Sequence, residues 1–146
     1  MQKNKIIILL AAHNGDQNIG EQIDSILNQT HKPSKIFVSI DRSSDQTLSI
    51  IEKYSIQSSI IKIINTKIYF GSAAANFSYM LTNIDFSNAD YVAISDQDDL
   101  WKEDKLAKAI QKLKQGFDGY SSNVQAFWEE GQKKIIEKNQ PQQKYD

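Results

Sequence analysis

Short apolar runs alternate along the chain with segments whose apolar residues recur every three or four positions. The unbroken run Ile6 to Ala12, closed by His13, Asn14 and Gly15, predicts a central parallel strand buried on both faces. Lys3 and Lys5 ahead of it imitate a secretory leader, yet an isoleucine-rich run this short suits a strand better. Asn18 followed by Glu21 has the form of a capping box, and Ile19, Ile23, Ile26 and Leu27 share one face of the helix it would open. Lys35 to Ile40 reads as a second strand, Asp41 to Asp45 as a polar turn, and a second helix follows with Leu48 and Ile51 inward. The β-branched run Ile60 to Ile64 predicts a third strand. Gly71 punctuates the chain before SAAANFSYML, a helix with Phe77, Leu81 and Ile84 on one side. Tyr91 to Ser95 is the fourth strand, and Glu103 to Leu113 a helix whose Leu106, Ile110 and Leu113 stack on one face. Such alternation predicts an α/β fold of right-handed βαβ units, a mostly parallel central sheet with helices on both faces. Gly119 to Trp128 reads as one or two strands. The expected organisation is one domain over residues 1–128 and a polar, Lys- and Gln-rich tail over 129–146.

Composition narrows the partners. With 146 residues, 40% of them hydrophobic, the chain can bury one sizeable core and is too short for two ordinary domains. Seventeen basic and eighteen acidic residues leave a net charge of −1, so no basic field exists to attract nucleic acid. The absence of cysteine excludes disulfides, thiolate catalysis and sulfur-ligated zinc, and fits a reducing cytosol. No apolar run approaches the ~20 residues of a membrane helix.

Ligands of an open parallel sheet bind beyond the carboxyl ends of its strands. Three polar clusters fall there: His13 and Asn14, Asp41 to Ser43, and Asp96 to Asp99. An EF-hand starting at Asp96 would need a polar ligand, glycine and glutamate where the chain has Leu100, Trp101 and Ala107. There is no GxGxxG after the first strand, no Walker lysine loop and no HExxH, and His13 and His31 are too few for a histidine-rich centre. What remains is a magnesium- or manganese-type site of one or two carboxylates, open to water and to substrate phosphates. The competing reading of Asp96 and Asp98, weaker than metal binding, is a turn that caps the helix starting near Glu103. Asp99 fits such a cap better than a ligand, Asp41 competes with Ser43, Ser44 and Asp45 to cap the second helix, and Trp101 reads as core.

These segments resemble the inverting glycosyltransferases of family 2 with the GT-A fold, especially bacterial rhamnosyltransferase-like enzymes of polysaccharide biosynthesis. AAHNG is similar to A-T-Y-N-G, EQIDSILNQT to the first helix, SIDRSSDQT to S-D-D-G-S-T-D-x-T, and SDQDDLWKEDKL to the D-x-D segment; FGSAAANF matches as well. The resemblance implies a three-layer, Rossmann-like GT-A fold and metal-dependent transfer of a sugar from a UDP or dTDP donor to a glycan or lipid-linked acceptor. It implies Asp98, assisted by Asp96, as ligand of Mg²⁺ or Mn²⁺. It also implies nucleotide contacts from Ala11, Ala12, His13, Asn14, Asp41, Arg42, Asp96 and Gln97, with Asp41 reading the base imide and His13 standing where the family has tyrosine. Two departures bear on the donor: Ile40 replaces the first aspartate of the usual pair, and Arg42 a glycine. The general base is expected beyond Asp146, in a segment that a truncated form would lack. A cytoplasmic protein, peripheral at the membrane's inner face, is implied, and uncovered apolar surface would favour a homodimer. Two other readings stay open: a catalytically incomplete nucleotide- and metal-binding module, and an aspartyl-phosphate phosphatase, which would use Asp96 as nucleophile but usually carries its motif on the first strand.

Overall fold

A computed structural model of the protein describes residues 4–64, 68–128 and 130–137. The chain divides into two compact units, one ending at Ala107 and the other beginning at Lys108.

The first unit is built on a four-stranded, wholly parallel sheet in the order β3-β2-β1-β4, from β1 (Ile6–Ala12), β2 (Lys35–Ile40), β3 (Ile61–Ile64) and β4 (Tyr91–Ser95). Every residue of β1 is buried, as its unbroken apolar run predicts for a strand flanked on both edges and covered on both faces. Alternation divides these side chains between two layers. Ile7, Leu9 and Ala11 pack with Met80 of α3 (Ala73–Asn83), joined at the rim by Phe37, Ile64, Phe77 and Ile84. Ile6, Ile8 and Leu10 lie on the opposite face, the side of α1 (Ile19–Leu27) and α2 (Thr47–Gln57), whose Ile19, Ile23, Ile26 and Ile51 are fully buried.

Several local expectations shift. The capping box does not form: Asn18 has helical backbone angles and its side chain makes no cap bond. A turn ahead of α1 does that work, with the Gly15 carbonyl accepting the amides of Asn18 and Ile19, so the helical path begins upstream of Asn18. Leu27 and Leu48 are only half-buried beside the fully buried Ile26 and Ile51. On α3 the inward line runs through Asn76 and Met80, four residues apart, which turns Leu81 outward to 48% exposure. On β4, Val92 and Ile94, in register with Ile7 and Leu9, remain exposed, so the cover that α3 gives this face of β1 does not extend over them.

The boundary between units falls in α4 (Lys105–Leu113), where Leu106 and Ile110 are buried and Leu113 is half-buried. The second unit also carries an antiparallel pair, β5 (Val124–Phe127) and β6 (Lys133–Ile136). Thus the stretch read as polar tail supplies a strand, KKII; its residues 129 and 138–146, and Lys3 of the leader-like start, lie outside the described residues. Among the described residues no helix is long and apolar enough to cross a membrane.

Candidate functional site

The strand order reverses at β1: β2 and β3 extend to one side of it and β4 lies on the other. The loops leaving β1 and β4 therefore diverge and leave a crevice at their carboxyl ends, the usual ligand position in such a sheet. A cavity of about 210 Å³ opens there. Ala11, Ala12, His13, Asp41, Asp96, Gln97 and Asp98 all line it, so the structure brings together seven of the residues singled out from the sequence. Asn14 and Arg42 do not line it.

Asn14 instead fastens two loops. It sits at φ 44°, in the left-handed region that asparagine tolerates. Its amide donates to Ser43 Oγ at 3.0 Å, and its Oδ1 accepts the Ser44 amide at 2.8 Å. Nearby, the Gly15 amide donates to Thr47 Oγ1 at 2.8 Å and the Asp16 amide to Asp45 Oδ2 at 3.0 Å. Asp45 also accepts the Thr47 amide and hydroxyl, so of the candidates to cap α2 it is Asp45 that meets the helix start. Burial pushes the Asp45 carboxyl up, but the Thr47 hydroxyl and surrounding amides outweigh it and hold the pKa below the ordinary value.

Asp41 is 4% exposed. Its Oδ1 accepts the amides of Arg42 at 2.7 Å and Phe70 at 3.0 Å, and its Oδ2 the amide of Gly71 at 2.9 Å. Burial raises its pKa, yet the three amides, with the charge of His13, bring it below the usual carboxylate range. An ionised carboxylate has about four acceptor positions, so one remains on Oδ2 after these three bonds. The residue therefore ties the end of β2 to the approach to α3 and can still meet a single donor in the cavity.

The acidic loop after β4 is held from α1. Fully buried Gln22 donates to Ser95 Oγ at 2.6 Å, Ser25 Oγ accepts the Trp101 amide at 3.1 Å, and Gln29, also fully buried, donates to the Lys102 carbonyl at 2.8 Å and accepts the Leu106 amide at 3.0 Å. Trp101 is buried, with Lys105 Nζ 4.5 Å from its ring centre, so Lys105 covers the indole. Between these anchors Asp96, Asp98 and Asp99 stay exposed. Partial burial, then repulsion from Asp99 and Asp98, raises the Asp96 pKa. Asp99 lies too far ahead of Lys105 to cap α4, and its charge adds to that repulsion.

The donor set suits a hard cation. Asp96 and Asp98 offer oxygen ligands, and among the described residues neither lysine nor arginine lines the cavity. Among the described residues no three acidic or histidine side chains cluster tightly enough to cage a metal.

Tyr69, Gly71, Ser72, Ala73 and Asn76 complete the lining. Gly71, readable as punctuation, sits at φ 70°, and the Asp41 bonds to Phe70 and Gly71 tie that segment to the end of β2. Ser72 caps α3 by accepting the Ala75 amide, and Asn76 is 2% exposed with Nδ2 donating to the Ser39 carbonyl. The notable departure concerns Gln97. Its Oε1 accepts the His13 amide at 2.8 Å and its Nε2 donates to the His13 carbonyl at 3.0 Å, so both ends of the side chain engage backbone.

Comparison with known proteins shows the family and the fold. The family model described as Glycosyl transferase family 2 matches residues 7–143. The dTDP-rhamnosyl transferase RfbG of Shigella flexneri is 40% identical over 139 residues, covering 94% of this chain and 48% of that protein. The chain thus spans about half the length of this curated relative. Among solved structures, S. aureus TarS in complex with UDP-GlcNAc superposes with TM-score 0.62 at 24% identity, over 76% of this chain and 31% of TarS. The mannosyltransferase PcManGT from Pyrobaculum calidifontis, in complex with GDP-Man and Mn²⁺, gives TM-score 0.64 at 20% identity, over 84% of this chain and 34% of that one. These likenesses establish the GT-A architecture of the sheet and its helices.

Proposed function

The chain belongs to glycosyl transferase family 2, and from that premise we propose that it forms the donor side of an enzyme that moves a sugar, with inversion, from a nucleoside diphosphate to a hydroxyl of a glycan or lipid-linked acceptor. The observation that carries this is the meeting of His13, Asp41, Asp96 and Asp98 in one crevice at the reversal of strand order. The donors named for RfbG and TarS, a dTDP-sugar and a UDP-sugar, support a pyrimidine nucleotide.

In this reading Asp41 offers its remaining acceptor position to the base imide, while His13 and Tyr69 flank the ring. Asp98, with Asp96, holds Mg²⁺ or Mn²⁺; the Mn²⁺ of PcManGT supports that class of ion. When bound, the cation offsets charge developing on the departing diphosphate. The rest falls to the chain's own bonds: Gln22, Ser25 and Gln29 fix both ends of the acidic loop, and Asp41 fixes the approach to α3, so a donor meets preset groups. Among the described residues the lining carries three carboxylates and no lysine or arginine for a diphosphate to meet.

Calorimetric titration of UDP and dTDP, with and without Mn²⁺, tests the reading. Binding that requires Mn²⁺ and disappears in Asp98→Ala is expected. A folded protein that binds neither nucleotide, or binds one equally well without metal and without Asp98, refutes it.

A further inference from the structure

Backbone pairing between β1 and β4 ends at Leu10 and Ser95. Beyond it the strands part to form the crevice, yet the contact between them does not stop. The Gln97 side chain presents an acceptor and a donor to the amide and carbonyl of one residue, His13, as a neighbouring strand would. Its slot is purpose-shaped. A Cβ on Gly15 would fall 2.6 Å from Gln97 Cδ and nearer still to Oε1, so only glycine leaves room. Gly15 is itself held by Thr47 through its amide and by the start of α1 through its carbonyl.

We propose that Gln97 is a positioning residue that couples the two halves of the crevice, so that a divalent cation at Asp96 and Asp98 raises affinity for the nucleobase itself, and not only for the diphosphate. The inference rests on the donor-site reading above. Gln97 lies between the two carboxylates, and the residue it grips, His13, lies on the cavity wall beside Asp41. The charges of Asp98 and Asp99 repel Asp96 within the turn that carries Gln97; a cation between Asp96 and Asp98 would relieve that repulsion, steadying the turn and, through the two hydrogen bonds already formed, the backbone of His13. Reciprocity requires that a base seated against His13 favour the cation by the same factor. A side chain that merely tied the loop down would leave the two affinities independent.

A nucleoside separates this effect from direct metal–phosphate contact, because it carries no phosphate. The experiment measures uridine affinity by ligand-observed NMR with and without saturating Mg²⁺, substituting thymidine if dTDP is the diphosphate that binds. In the wild-type protein Mg²⁺ should tighten the nucleoside by about fivefold, the low end for coupled sites. In Gln97→Ala that factor should fall to one, while UDP with Mn²⁺ still binds, though less tightly. Gly15→Ala evicts the Gln97 side chain by an independent route and should lose the coupling too, and the double variant should lose no more than either single one. Nucleoside affinity indifferent to Mg²⁺ in the wild type, or coupling that survives in Gln97→Ala, overturns the inference and leaves the donor site standing. If UDP with Mn²⁺ fails to bind the wild type at all, the donor-site reading falls and this inference falls with it.

Discussion

Replacing Asp41 by asparagine keeps the shape of the side chain and removes its charge and one acceptor. The carboxylate holds three amides: Arg42 and Phe70 on one oxygen, Gly71 on the other. In Asp41→Asn a carbonyl oxygen can keep the first pair as neutral bonds, each weaker by about 1 kcal/mol. The new amide nitrogen then faces the Gly71 N–H, donor against donor, and an unpaired N–H costs ~1–3 kcal/mol. Relief from burying a charge offsets part of that sum, leaving a loss of about 2–4 kcal/mol. For a chain of this size that lowers Tm by roughly 5–15 °C. Thermal melts by circular dichroism read it directly. The pH dependence adds a check. Because the folded pKa lies below the unfolded value of 3.8, the stabilisation is complete above 3.8 and is lost as pH falls through the folded pKa. The gap between wild type and variant should therefore close in strong acid. A variant that melts within about 1 °C of wild type at pH 7, while losing nucleotide, would show that Asp41 serves the ligand alone, and the structural role argued from its three amides would be wrong.

Other substitutions probe the remaining layers. Leu9→Ala, in a strand residue with no exposed surface, should cost ~2–5 kcal/mol by chemical denaturation, and a loss under ~1 kcal/mol would contradict the packing of β1 against α3. Gln29→Ala strips partners from the Lys102 carbonyl and the Leu106 amide and should cost about 2–4 kcal/mol, with Mn²⁺ affinity falling as the loop loosens; unchanged Mn²⁺ affinity would separate the brace from the carboxylates. Asp96→Asn should raise Tm of the metal-free protein at neutral pH, since burial and its acidic neighbours disfavour the charge there. The gain should shrink as pH falls through the raised Asp96 pKa, where the wild type takes up its proton, and an equal or lower Tm at pH 7 would contradict the repulsion.

The sheet was legible because its signals are local. Ile6–Ala12, Lys35–Ile40 and Tyr91–Ser95 form strands over the ranges their apolar runs predict. The carboxyl-edge rule then pointed to the cavity, since a parallel sheet sends His13, Asp41 and Asp96 to one edge whatever the helices do between. Pairings made by single side chains over long separations were not legible. Nothing in the sequence tells Asn14 from a ligand, and its clasp on Ser43 and Ser44 emerges only when the loops after β1 and β2 are side by side. Gln97 is similar: a residue between two aspartates reads as part of their motif, whereas its bonds run 84 positions back along the chain. Tyr69 carried no motif, and Asn76, though inside the matching FGSAAANF, carried no assigned role; both line the cavity beside the segment that Asp41 ties down. The capping box failed for a related reason: S/T/N-x-x-E reports a side chain able to cap, while the turn at Gly15 had already started the helix.

The loops at the carboxyl edge are sewn to one another before any ligand arrives: β1's to β2's through Asn14 and Asp16, β1's to β4's through Gln97, and β2's to the start of α3 through Asp41. Their conformational entropy is lost when the chain folds, not when a guest docks. Association should then show a modest entropic penalty and little heat-capacity change beyond the apolar area covered. A crevice stiffened in this way selects among guests by rejecting those that would need its walls to move far.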